Sequence, residues 1–351
     1  MVDMLRADFS RALVIALLAV EALVAVRFTH ARSKPIVEAK MPGAGAEVEA
    51  ATEQSSSAAA DVLLPTAAAA AVATDPGEPP AAELRDAHDS QDAPSEARVL
   101  RVLLVGNSYT MHHSLHVLLQ RVAAAVAGGP QLIVDAVARG GFSLRNHLRK
   151  GEALQRIRAR RYTHVVLQGH SLSALDHPDE LGVDAERFKQ AIDAAEGRTV
   201  LYATWARSPE VSLYRTHRLV HSFSDMSTRV SSVYSDLSTR LGAGLAPVGA
   251  AFERSLVEHP RLTLWGVDGS HPSLAGSYMA ACVLYGAITG VNPSQTSYVP
   301  PGLRDSDAEW VRSVAAESLA ASKLAAAATA AATLSTGLTG ADDDASSAQL
   351  H

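Results

Sequence analysis

Residues far apart in this 351-residue chain have the makings of acyl-transfer chemistry. Ser108 stands in the turn Gly106-Asn107-Ser108, directly after the apolar run Arg101-Val-Leu-Leu-Val105. Asp268 and His271 stand together in Asp268-Gly-Ser-His271. A serine hydroxyl is a weak nucleophile until a base takes its proton, and histidine, which titrates near neutrality, is the natural base. A carboxylate on the second ring nitrogen fixes the tautomer and stabilises the imidazolium. Gly269 and Pro272 argue for a loop at 268–271, and in a loop this spacing lets the carboxylate fold back onto the imidazole. Each half has a plain alternative. Ser108 serves equally as a helix N-cap, and Asp268 as an Asx-turn residue ahead of the helix that begins near Ser273. The two halves together, at opposite ends of one domain, favour the chemistry.

The elements around these residues read as alternating strand and helix. Strands are expected at 99–105, 132–137, 164–168, 199–204 and 244–248. The first, third and fourth are near-continuous apolar runs, as strands covered on both faces should be. Helices are expected at 115–127, 144–158, 184–195, 217–241 and 274–288. This alternation predicts an α/β fold, a three-layer α/β/α sandwich around a five-stranded parallel sheet. Ser108 then falls at the C-terminal edge of the sheet, where open α/β proteins bind their ligands.

Composition narrows the class. The net charge is −6 and no Lys/Arg cluster is interleaved with aromatics, which excludes a nucleic-acid partner. The single cysteine, Cys282, lies in the apolar run Met279-Ala-Ala-Cys-Val-Leu-Tyr and reads as a buried, inert thiol. Residues 12–26 are apolar except for Glu21 and are flanked by Arg11 and Arg27. They are short for a membrane span, which needs about 20 residues, and their length suits the apolar core of an export signal. Residues 1–27 are therefore expected to be a signal peptide or membrane anchor that engages membrane or export machinery. The protein would then be secreted, periplasmic or tethered facing outward. Residues 28–96, rich in Ala, Pro, Glu and Ser, read as a low-complexity linker. The domain spans 97–322, and 323–351 read as an Ala-rich, acidic disordered tail whose alanines can extend a terminal helix.

With Gly106-Asn-Ser108 after the first strand and Asp268-x-x-His271 before the last helix, the chain resembles the SGNH hydrolases, the GDSL esterase/lipase superfamily. Arg139-Gly140-Gly141-Phe142-Ser143 resembles that family's second block. The Gly-x-Ser-x-Gly elbow of α/β-hydrolases is absent, because Thr110 stands where its second glycine would be. The resemblance covers about 97–290 and implies a flavodoxin-like fold. It also implies a serine esterase acting through an acyl-enzyme, with Ser108 as nucleophile, His271 as base and Asp268 as its orienter. No cofactor is implied. Its substrate would be an O-acetylated carbohydrate or a small or lipid ester. By the same analogy the backbone N–H groups of Ser108 and Gly141 face the oxyanion. The family's third block supplies an asparagine donor, and this chain has Gln168-Gly-His170-Ser instead. Gln168 is the nearer chemical match and His170 the second choice. The missing asparagine also admits a different class, a non-catalytic ligand-binding module on the same fold.

Other residues at the sheet edge carry their own alternatives. Trp205 either lines the substrate pocket or closes the core as a rim aromatic. Arg207 and Arg139 either bind an anionic substrate group or pair with surplus acid. His112 and His116 have the i, i+4 spacing of a metal pair on a helix. No Glu completes that motif, and no metal site is expected.

Overall fold

The computed structural model describes residues 98–339. The expected signal or anchor (1–27), the linker (28–96) and the acidic tip beyond 339 lie outside the described residues. Five strands form the sheet: β1 (Val99–Gly106), β2 (Gln131–Ala138), β3 (His164–Leu167), β4 (Arg198–Tyr202) and β5 (Gly244–Ala246). All neighbouring pairs are parallel, in the order β2-β1-β3-β4-β5. The chain leaves β1 for one neighbour and crosses back to β3 on the other side. The strand order therefore switches direction beside β1, and a crevice opens at its C-terminal end.

The helices are α1 (Ser108–Met111), α2 (Leu115–Ala124), α3 (Leu144–Lys150), α4 (Glu152–Ala159), α5 (Ser173–Asp176) and α6 (Pro178–Asp193). After β4 come α7 (Leu213–Thr216), α8 (Phe223–Leu241), α9 (Val248–Glu258), α10 (Leu274–Thr289) and α11 (Asp305–Thr339). They cover both faces of the sheet. Leu100, Val102 and Leu104 of β1 pack with α2, α9, α10 and the start of α11. Leu103 and Val105 point the other way and pack with α3, α4, α6 and α8. A strand buried on both faces must be apolar at every position, which explains the unbroken run that precedes Ser108.

Several boundaries depart from expectation for local reasons. The helix expected over 144–158 breaks at Gly151, whose φ of +78° caps α3 and starts α4. Such left-handed caps favour glycine. Pro178 sits in the first turn of α6 and starts it ahead of 184. The strand expected over 244–248 stops at Ala246, because Pro247 has no N–H to give the ladder, and Val248 begins α9. The alanine run after Lys323 continues α11 to Thr339. In α10, thirteen of sixteen residues are buried, so this helix is a core element rather than an amphipathic cover. Among the described residues no helix is long and apolar enough to cross a membrane.

Candidate active site

The Ser108 turn is built on a close approach. A Cβ at Gly106 would run into Thr110 Oγ1 and Gln168 Oε1, so only glycine fits there. The Gly106 carbonyl accepts from His147 Nε2 at 2.7 Å and from the Arg139 N–H at 3.2 Å. Asn107, not Ser108, is the cap of α1: its Oδ1 accepts the Tyr109 N–H at 3.1 Å. That leaves the Ser108 hydroxyl for another partner.

The partner is His271. Its Nδ1–H donates to Asp268 Oδ2 at 2.5 Å, and its Nε2 accepts from the Ser108 hydroxyl at 2.9 Å. Asp268 Oδ1 accepts the N–H groups of Ser270 and His271, both at 2.9 Å. The Asx turn and the relay are thus one structure, with each carboxylate oxygen serving one of them. Gly269 makes the turn possible with a φ of +64°. The Gly266 N–H closes it on the His271 carbonyl at 2.7 Å. Burial alone would raise the Asp268 pKa, but the hydrogen bonds from the His271 ring and the two N–H groups outweigh it and hold the carboxyl down at about 2. The carboxylate is therefore charged whenever His271 is asked to accept a proton.

An aromatic column joins the serine turn to the Asp-His loop. Trp205 lies between Tyr109, stacked at 4.5 Å, and Phe252, stacked at 4.3 Å. Its Nε1–H donates to the Ser270 carbonyl at 3.0 Å, and Tyr109 OH lies 3.0 Å from Ser270 Oγ. Trp205 is only 1 % exposed. Of its two alternatives, pocket lining or core closure, its burial and stacking fit the second: Tyr109 and Phe252 cover both of its faces, and its N–H holds the Asp-His loop. Tyr109 was not among the expected site residues, although its place beside the serine marks it.

Gln168 is also corrected. It is 1 % exposed, and its Nε2 donates to Asn107 Oδ1 at 2.9 Å and to the Gly169 carbonyl at 2.6 Å. An amide nitrogen has two hydrogens, so none is left for an oxyanion. His170 is differently placed. Its Nδ1 accepts the Leu172 N–H at 3.4 Å, which leaves Nε2 to carry a hydrogen. Burial, then the charge of Arg207, lower its pKa, so the ring stays neutral with that single donor. Gly141, with a φ of +70°, and His170 line a cavity of about 310 Å³ that also touches Ser143, Asp176, Glu180 and Asp184. Asn107 Nδ2 donates to the carbonyls of Phe142 and Gly169, each adjacent to one of those two residues. These bonds tie the Ser108 turn to the two loops that line the cavity. Arg207 donates through Nη2 to Ser171 Oγ at 2.9 Å and so joins the loops after β3 and β4. Arg139 pairs with Glu152 at 3.5 Å.

His112 and His116 do not share a helical face. A kink at His113 and Ser114, with φ of 51° and 50°, separates α1 from α2. The His112 ring stacks on His271 at 4.5 Å instead. Among the described residues no group of three or more His, Cys, Asp or Glu is placed to hold a metal ion.

No protein-family model and no curated protein matches the sequence. Solved structures do. A DUF4886 family protein from Bacteroides uniformis is 19 % identical, with a TM-score of 0.52 over 63 % of this chain and 95 % of that one. At this identity the likeness speaks for the fold alone. That fold is the five-stranded parallel α/β sandwich described above. A protein from Slackia heliotrinireducens, described as a candidate SGNH hydrolase, is 28 % identical over 54 % of this chain and all of that one, with a TM-score of 0.48. A mutant acetyl-xylooligosaccharide esterase from Geobacillus Stearmophilus is 15 % identical over 55 % of this chain and 95 % of that one, with a TM-score of 0.42.

Proposed function

We propose that this chain is a serine esterase that hydrolyses a carboxylic ester through an acyl-enzyme. The observation that carries the reading is the unbroken relay from Ser108 Oγ through His271 to Asp268, at 2.9 and 2.5 Å. Ser108 Oγ attacks the carbonyl carbon while its proton passes to His271 Nε2. The negative charge that grows on the carbonyl oxygen is met by the N–H groups of Ser108 and Gly141 and by His170 Nε2–H, which takes the place first given to Gln168. His271 hands its proton to the departing alcohol, and the acyl group stays on Ser108. Water then attacks the acyl carbon, with His271 as base, and the serine is restored. The Asp268 carboxylate holds the Nδ1–H tautomer throughout.

The cavity beside Gly141 and His170 gives the ester's bulk a place to sit, and an O-acetylated carbohydrate, a small ester and a lipid ester are the candidate substrates. In the same reading residues 1–27 direct the enzyme out of the cytoplasm or anchor it facing outward, which fractionation of tagged protein tests. A non-catalytic binding module has no use for a relay whose every hydrogen bond is made. The enzyme reading is tested with a fluorophosphonate probe followed by peptide mapping. The adduct is expected on Ser108 and absent from Ser108→Ala. Folded protein that neither takes the probe nor hydrolyses p-nitrophenyl acetate would sink it.

A further inference from the structure

His271 is held by more than its two hydrogen bonds. Its ring lies against the ring of His112, with centroids 4.5 Å apart and planes 23° from parallel. It also meets Tyr109 at 5.6 Å and 79°, in an edge-to-face arrangement. His112 follows directly on α1, so one short segment carries both the group that gives the proton and a ring stacked on the group that takes it. The backbone there is unusual. His113 and Ser114, the next two residues, both adopt left-handed φ values, which residues other than glycine rarely do. Such conformations persist only where surrounding contacts hold them. One such contact is visible: His113 Nδ1 and Ser277 Oγ of α10 lie 2.9 Å apart.

We infer that His112 is a positioning residue for the catalytic base: its ring fixes the plane of His271 during proton transfer. This rests on the serine-esterase reading above. A flat ring at stacking distance restrains rotation of the imidazole away from Ser108. The titratable groups facing His112 are His271 and Asp268 from the loop before α10, and His113 from its own segment. His271 additionally faces Ser108 and Tyr109. Burial, then the imidazoles of His271 and His113, hold His112 below the ordinary histidine range against the opposing pull of Asp268. At neutral pH it is an uncharged platform.

The test compares the full chain with His112→Phe and His112→Ala on p-nitrophenyl acetate at about pH 8. Phenylalanine keeps a flat ring, and its kcat should stay within about threefold of the parent. Alanine removes the ring, and its kcat should fall about three- to tenfold with KM changing less than about twofold. An alanine variant with the parent's kcat overturns the positioning role. A folded phenylalanine variant that loses more than about tenfold in kcat overturns it as well, and this comparison stands alone if the alanine variant does not fold. A folded parent that hydrolyses nothing strikes the esterase reading itself and takes this inference with it, an outcome distinct from the other two.

Discussion

Replacing Gln168 by alanine separates a structural amide from a catalytic one. Its Oε1 accepts the Asn107 N–H at 3.0 Å and the Thr110 hydroxyl at 2.9 Å, while its Nε2 donates to Asn107 Oδ1 and to the Gly169 carbonyl. Truncation removes all four bonds. Two partners keep another: Asn107 Oδ1 still accepts from the Tyr109 N–H, and the Gly169 carbonyl still accepts from Asn107 Nδ2. The Asn107 N–H and the Thr110 hydroxyl are left buried without an acceptor. Each orphaned group costs about 1–3 kcal/mol, so the pair costs about 2–6 kcal/mol. The space vacated by the side chain adds to this. With a urea m-value of about 3 kcal/mol/M, the unfolding midpoint of Gln168→Ala should fall by about 1–2 M, read by far-UV circular dichroism. Thr110→Val leaves Oε1 its bond to Asn107 and should cost only about 1 kcal/mol. Activity should drop in Gln168→Ala because the Ser108 turn loosens, in step with the loss of stability. A variant that unfolds at the parent's midpoint yet loses about 10²–10³ in kcat would refute this reasoning and return the amide to the oxyanion.

Three further outcomes are expected. Burial, aided by Arg198 and Arg98, lowers the pKa of His164 to about 4, below that of an unfolded histidine at about 6.5. The unfolded chain therefore binds the proton first, and stability is full above the higher value and falls as the pH drops toward the lower. His164→Gln should flatten that slope in urea midpoints measured against pH. Burial raises the Cys282 thiol to about 12, so iodoacetamide should leave native protein unlabelled and modify one cysteine in urea. Trp205→Ala removes both stacks and the bond to the Ser270 carbonyl. It should cost about 3–5 kcal/mol in urea unfolding and lower kcat in the fraction that remains folded.

Strand and relay were legible for the same reason: both are written in short stretches. The β1 run is apolar because each face of the strand meets its own core, and Asp268 reaches His271 through a turn that Gly269 announces. What escaped depends on neighbours remote in sequence. Gln168 and Trp205 both follow strands whose C-terminal ends adjoin, and the chain alone does not say which side chains turn inward there. The β1–β3 register, pairing Val105 with Leu167, brings Gln168 beside Asn107 and buries the amide that chemical likeness had assigned to substrate. Trp205 reads as pocket lining or as a rim aromatic closing the core until Tyr109 and Phe252 are seen on its two faces. The metal-pair spacing of His112 and His116 presumes a continuous helix, and no residue in the 112–116 stretch is a glycine that would advertise the left-handed kink. The break at Gly151 was signalled by its glycine and hidden by the apolar period that runs across it.

The hydrogen bond between Ser108 and His271 joins residues 163 positions apart. The helix behind His271 is α10, buried on all sides, and part of its cover is α11 through Ala308, Val311, Val314, Ala315 and Leu319. This arrangement sets an order of assembly during synthesis. The serine turn and the sheet emerge early, His271 arrives much later, and α10 has no dry seat until the start of α11 has been made. A nascent or truncated chain ending between 290 and 305 would contain every residue of the relay and still leave an apolar helix without its cover. The seat of the relay is thus completed by α11, the last described helix, and removing α11 should loosen the Ser108–His271–Asp268 relay without touching any of its three residues.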